Sequence, residues 1–202
     1  MVNVEPKLGL RIQRVWGWYE LPDWNITIAA PFKCGSTTLK HFIHDNDIPF
    51  YHILHSQIRG DAYFVVRNPV ERFMSLWRQK CRDKSVNVIM VQGGEYVVGS
   101  PNYNRRTWDT LADATPEELM DYIEAGNSEP QWTPQTKILG NLNATCIALD
   151  DLNDWWTNQG YGDLQSARIN STSGTEVLSD DLTQRILTFY AKDVELYNKS
   201  KQ

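Results

Sequence analysis

The chain has 202 residues, 41% hydrophobic and 22% charged, which fits a single domain over 1–202 that buries a substantial core. A formal net charge of −5 excludes general nucleic-acid binding, which needs a basic face. No apolar run approaches the roughly 20 residues that span a bilayer, and residues 1–13 lack the apolar stretch of a signal peptide, so a soluble, cytoplasmic protein is expected.

In chain order, Asn25-Ile26-Thr27-Ile28-Ala29-Ala30 is a short β-type run. A helix over 36–45 follows, with Leu39, Phe42 and Ile43 on one side. Residues 50–54 form a second strand candidate, and Ala62-Tyr63-Phe64-Val65-Val66 is the clearest buried strand. Asn68-Pro69-Val70-Glu71 opens a helix with an N-cap, a proline at its first position and an acid in its first turn. Val70, Phe73, Met74, Trp77 and Cys81 recur along it as a packing face. The stretch 84–130 reads as an excursion on the acceptor side of the molecule. It is rich in glycine and polar residues over 84–110, then carries a capped helix from Thr115-Pro116-Glu117-Glu118 to Gly126. Thr145-Cys146-Ile147-Ala148-Leu149 is a further strand, and Ser179-Asp180-Asp181 caps a final helix to about Asn198. Strands alternating with helices predict an α/β fold with a mainly parallel sheet flanked by helices. Ligands of such sheets bind beyond the carboxyl ends of the strands, where the loops 31–38 and 67–69 fall.

The first of those loops, Pro31-Phe32-Lys33-Cys34-Gly35-Ser36-Thr37-Thr38, joins a strand to a helix. A small residue admits an anion close to the backbone, first-turn amides point at it, and hydroxyls and Lys33 add donors and charge. A plain helix cap would use some of the same residues. A nucleotide-triphosphate loop would place its lysine after the second glycine, whereas Lys33 precedes Gly35. Beyond the second loop, Arg67, Arg72, Arg78, Lys80, Arg82 and Lys84 fall in one stretch opposed only by Glu71 and Asp83. That run is either a solvated helix face or part of an anion site. Three scattered cysteines and four histidines form neither a disulfide framework nor a zinc pattern, so no metal site is expected.

A lysine ahead of a Gly-Ser/Thr turn resembles the 5′-phosphosulfate loop of sulfotransferases that use 3′-phosphoadenosine 5′-phosphosulfate (PAPS). The segment from Tyr63 to Trp77 is similar to that family's 3′-phosphate segment: a hydrophobic strand, an arginine, Asp/Asn-Pro, and a serine eight residues after the arginine. The resemblance assigns the 3′-phosphate to Arg67 and Ser75, and the 5′-phosphosulfate to Lys33, Gly35, Ser36, Thr37 and Thr38. Gln131-Trp132-Thr133-Pro134-Gln135 resembles a His-Trp-x-Pro-Gln stretch of the carbohydrate (Golgi-type) branch; Gln131 replaces the histidine and receives no catalytic role. The end of the chain resembles that branch too, which brings in Arg168 and Ser171 as residues of a loop closing over the nucleotide.

The resemblance thus implies a P-loop-like sulfotransferase fold and in-line transfer of the sulfuryl group of PAPS to an acceptor hydroxyl, releasing adenosine 3′,5′-bisphosphate without a metal. Lys33 would stabilise charge on the bridging oxygen. The acceptor would be a glycan or another small hydroxylated molecule, and the absence of a membrane anchor suggests a bacterial or viral source or an excised catalytic domain. His55, at the end of the strand candidate 50–54, is the preferred general base, with His52 second. Tyr103, Arg105 and Arg106 lie where an acceptor could bind. Two alternatives stay open: a kinase, with Asp150 after an apolar strand holding magnesium, and a nucleotide-binding protein without catalysis.

Overall fold

A computed structural model describes residues 17–58, 60–83, 88–90, 96–98, 111–164 and 176–202. Its centre is a five-stranded sheet built from β1 (Trp18–Leu21), β2 (Ile26–Ala29), β3 (Tyr51–Ile53), β4 (Asp61–Val66) and β7 (Thr145–Ala148), in the order β3-β1-β2-β4-β7. Two short strands, β5 (Val88–Met90) and β6 (Tyr96–Val98), pair antiparallel apart from it.

The sheet is mixed, not mainly parallel as the alternation of strands and helices predicts. β2 runs parallel to β4 and β4 to β7, but β1 is antiparallel to both β2 and β3. The cause is the link between β1 and β2, a three-residue helical turn (Pro22–Trp24) closed by Asn25 in the left-handed region at φ 52°. Four residues are too few for a parallel crossover, so the chain folds back on itself. β3 reverses again against β1 and therefore points the same way as β2. Trp18 registers with both Ala29 and Ile53, so the carboxyl ends of β2 and β3 share one sheet edge. β4 and β7 end at that edge too.

Both sheet faces are covered, which explains why β2 is buried along its whole length. On one face Ile26, Ile28 and Val65 pack with Leu39, Phe42 and Ile43 of α1 (Ser36–Asp45) and with Leu152 and Trp156 of α5 (Leu152–Asn158). On the other, Trp18, Ala29, Phe64 and Val66 meet Leu139 of α4 (Gln135–Leu139) and Leu196 and Tyr197 of α7 (Ala191–Ser200). A separate helical core joins α2 (Pro69–Trp77), α3 (Pro116–Glu124) and α6 (Asp180–Phe189) through Phe73, Leu76, Leu119, Ile123, Leu182 and Ile186.

The helix starts follow local chemistry. Asn68 Oδ1 accepts from the amides of Val70 at 2.9 Å and Glu71 at 3.4 Å. Thr115 and Glu118 form the reciprocal capping box, and Ser179 caps α6. α2 ends in a π turn over Arg78–Arg82. The single final helix expected from Ser179 to Asn198 is instead two, broken at Tyr190 (φ −101°, ψ 28°). Tyr190 leaves helical geometry, its hydroxyl donates to the Trp132 carbonyl at 2.8 Å, and α7 takes a new direction. The stretch 84–130 holds β5, β6 and α3; residues 84–87, 91–95 and 99–110, with Tyr103, Arg105 and Arg106, lie outside the described residues.

Candidate functional site

The loop after β2 turns tightly, with the Cys34 amide donating to the Pro31 carbonyl at 3.0 Å. Two of its residues are left-handed: Lys33 at φ 67° and Gly35 at φ 81°. Glycine is required at 35 twice over, since an added Cβ would also come within 2.8 Å of Leu149 Cδ1. The pressure on that position thus comes from β7's side of the sheet as well as from any ligand. Gly35 caps α1, whose first internal bond runs from the Leu39 amide to the Gly35 carbonyl at 3.0 Å. The amides of Ser36, Thr37 and Thr38 precede that bond and have no carbonyl one turn back within the helix. This end of a ten-residue helix carries the positive pole of its dipole.

Lys33 extends toward α2's π turn, where its ammonium donates to Gln79 Oε1. Burial, then the positive charges of Lys80, Arg67 and Arg72, lower its pKa to about 7. Lys80 is itself buried and lowered to about 8 by that burial, with Glu129 opposing. A half-buried lysine left among three other cations is a place that gains from an anion.

Arg67 follows β4 at the same edge. Its Nη1 donates to the Lys33 carbonyl at 3.1 Å, so the two loops are in direct contact. Its Nε lies 3.5 Å from Glu71 on the next helical turn. Arg67 opens onto a cleft of about 510 Å³, walled also by Glu71, Met74 and Arg78 from the α2 side and by Glu176 and Thr183 opposite. Ser75 is on α2, 8% exposed, and is not part of that wall. Arg72 is 3% exposed and spends its guanidinium on carbonyls, at 3.1 Å to Phe32 and 3.2 Å to Gln131. Arg78 and Arg82 both pair with Glu176. The basic run is therefore not one solvated face, because Arg72 and Lys80 point inward.

The histidines stand apart from this group. His55 opens a short helical turn just past β3, exposed, its ring 6.2 Å from that of Trp18. It shares the edge with Lys33 and Arg67, yet β1 lies between β3 and β2, a lateral offset of about 10 Å at ordinary strand spacing. His52, exposed on β3, has its ring tilted against that of Tyr19 at 4.6 Å and edge-on to that of Phe50 at 5.6 Å. Asp150, the magnesium ligand of the kinase alternative, accepts from the Tyr197 hydroxyl at 2.7 Å and lies 3.6 Å from Lys201. Among the described residues no three His, Cys, Asp or Glu side chains converge as a metal site, and no helix is long and apolar enough to cross a membrane. Arg168 and Ser171 lie outside the described residues.

A model of the sulfotransferase family matches residues 32–150, more than half of the chain. The chain belongs to the sulfotransferase family. The matched span begins one residue before Lys33 and ends on Asp150, so it includes the loop after β2, Arg67 and α2. Sulfuryl transfer is the general chemistry of that family. No curated protein and no solved structure matches the chain. Motif reading gave no individual role to the residues behind these loops, half-buried Gln79 and buried Lys80, Gln135 and Asp193. Lys80 had a signal in the basic run, Gln135 in the Trp132-Thr133-Pro134-Gln135 stretch and Asp193 in the C-terminal segment; Gln79 had none.

Proposed function

We propose that this sulfotransferase takes its sulfuryl group from PAPS and passes it to an acceptor hydroxyl, the acceptor being a carbohydrate or another small hydroxylated molecule. The observation that carries the reading is the contact between the two anion-binding loops. Arg67 bonds the Lys33 carbonyl, so a cation suited to a 3′-phosphate and a helix N-terminus suited to a 5′-phosphosulfate are held in fixed relation. The low pKa of Lys33, about 7 among like charges, fits a site whose charge balance is completed by a polyanionic substrate.

In this reading the amides of Gly35, Ser36, Thr37 and Thr38 hold the 5′-phosphate, and Arg67 and Ser75 hold the 3′-phosphate. Arg168 and Ser171, by resemblance, cover the nucleotide. The acceptor oxygen forms a bond to sulfur while the bond from sulfur to the 5′-phosphate oxygen breaks, and adenosine 3′,5′-bisphosphate departs. Lys33 stabilises the negative charge growing on that oxygen. His55 takes the acceptor's proton, with His52 the less favoured base because its ring lies against that of Tyr19. A single domain over 1–202 supplies all of these groups.

A thermal-shift titration tests the donor. Adenosine 3′,5′-bisphosphate without metal is expected to raise the unfolding temperature. Stabilisation by ATP with magnesium and not by the bisphosphate would overturn the reading in favour of a kinase.

A further inference from the structure

Behind the two loops, buried polar groups converge on one side chain to which neither motif nor family match gives a role. Gln135, 0% exposed, is the first residue of α4. Its Oε1 accepts from the Arg67 amide at 2.8 Å and from the Cys34 thiol at 3.1 Å. Its Nε2 donates to the Arg67 carbonyl at 2.9 Å. One amide group therefore grips the backbone of Arg67 on both sides and also holds the residue next to Lys33.

Gln135 is fixed in turn from a distant helix. The residue before α4 is Pro134, which offers no side-chain cap. Asp193 of α7, 1% exposed, does that work: Oδ2 accepts from the Gln135 amide at 2.6 Å, and Oδ1 accepts from the Thr136 amide and hydroxyl, both at 2.8 Å. Tyr190, at the break before α7, ties the same segment by donating its hydroxyl to the Trp132 carbonyl. The bonds from Asp193 to the Gln135 amide and from Tyr190 to the Trp132 carbonyl are buried, so neither is exchanged cheaply for a solvent bond.

We propose that Gln135, held by Asp193, is a positioning residue that fixes the arm bearing Arg67 against the loop bearing Lys33, so that a nucleotide with anions at both its 3′ and 5′ ends is gripped at both at once. This inference rests on the PAPS reading above. A fixed spacing between two anion sites rewards only a ligand that carries both groups, because the second contact is then made without further ordering. Gln135 touches no substrate in this assignment; it acts through Arg67 and Cys34.

The test measures, by titration calorimetry, the affinity gained from the 3′-phosphate: adenosine 3′,5′-bisphosphate against adenosine 5′-monophosphate. For the wild type, a gain on the order of 100-fold is expected from charge-assisted bonds to that phosphate. Gln135→Met keeps length and removes all three bonds; it should cut the gain to less than about tenfold while changing monophosphate affinity less than about threefold. Adding Arg67→Ala to Gln135→Met should lower the gain no further than Arg67→Ala alone. A Gln135→Met protein that keeps the full gain, or that loses affinity equally for both nucleotides, overturns the inference. Should Gln135→Met fail to fold, Asp193→Asn, which leaves an acceptor for one α4 amide, is judged by the same criterion. A wild type with no gain from the 3′-phosphate overturns the PAPS reading itself; a wild type with the gain and variants that retain it overturn only the role of Gln135.

Discussion

Along the carboxyl edge of the sheet, the half near β2 and β4 and the half near β3 are built in different ways. Near β2 and β4, Lys33, Cys34 and Arg67 are joined to one another, to Gln135 and through it to Asp193, by bonds that span between 34 and 101 residues of sequence. Near β3, the turn holding His55 bonds to itself among the described residues, with the Leu54 amide donating to Gln57 Oε1 and the Gln57 amide to the Leu54 carbonyl. The first half is preformed by the tertiary fold. The second is set by a local loop on an edge strand, the kind of element that opens at low cost. In the function proposed above, this division gives rigidity where the donor would bind and latitude where the acceptor would enter.

Three measurements would break or sharpen that contrast. The largest effect is expected from Lys33→Ala, which should lower kcat by about 10²- to 10³-fold, as loss of a charge-stabilising group does, with a much smaller change in donor affinity. Steady-state kinetics with labelled PAPS and a hydroxyl acceptor panel would show it, and unchanged transfer would remove Lys33 from the chemistry. Next, His55→Gln should lower kcat by about 10²-fold with donor affinity unchanged, while His52→Gln should leave kcat near wild type. The reverse ranking would move the base to His52 and would break the contrast, because His52 belongs to β3 itself and not to the local turn after it.

The smallest effect is in pH. Ligand-free Lys33 loses its proton near pH 7, and a bound anion favours the charged form, so binding above pH 7 takes up a proton. Affinity for adenosine 3′,5′-bisphosphate should therefore fall above pH 7, by less than about tenfold in all, and Lys33→Ala should flatten the profile. Stability of the ligand-free protein has the opposite trend from this group. The folded state holds the proton less tightly than an unfolded lysine at 10.5, so its penalty is full below pH 7 and is relieved between about 7 and 10.5. Isothermal titration and thermal unfolding across pH 6–10 read the two trends separately.

How far the sequence spoke for the structure follows from the range of the forces involved. α1, the cap at Asn68, the Thr115–Glu118 box and the buried run of β4 depend on neighbours within a few residues, and all were legible. β1 was not: Trp18-Tyr19-Glu20-Leu21 is four residues long and is a strand because β2 and β3 flank it. Missing β1 is what made the sheet look mainly parallel. The break at Tyr190 was equally hidden, since residues on either side suit a helix and only the Trp132 carbonyl and the α4 amides, 57 to 58 residues away, favour the turn. The placement of Lys33 and Arg67 on loops at the ends of strands was readable because strand-loop-helix spacing is local, and their contact was not.

Lys33 sits where most chains would place glycine, at φ 67°, and a left-handed lysine holds its backbone at a cost of about 1–2 kcal/mol. Charge and strain are therefore bound to the same residue, and a change that removes one need not remove the other. Alanine deletes the ammonium and keeps the strained backbone; glycine deletes both. On the role proposed for Lys33, the glycine exchange would thus give a relaxed scaffold that transfers slowly, suited to capturing donor and acceptor side by side before any bond to sulfur is exchanged.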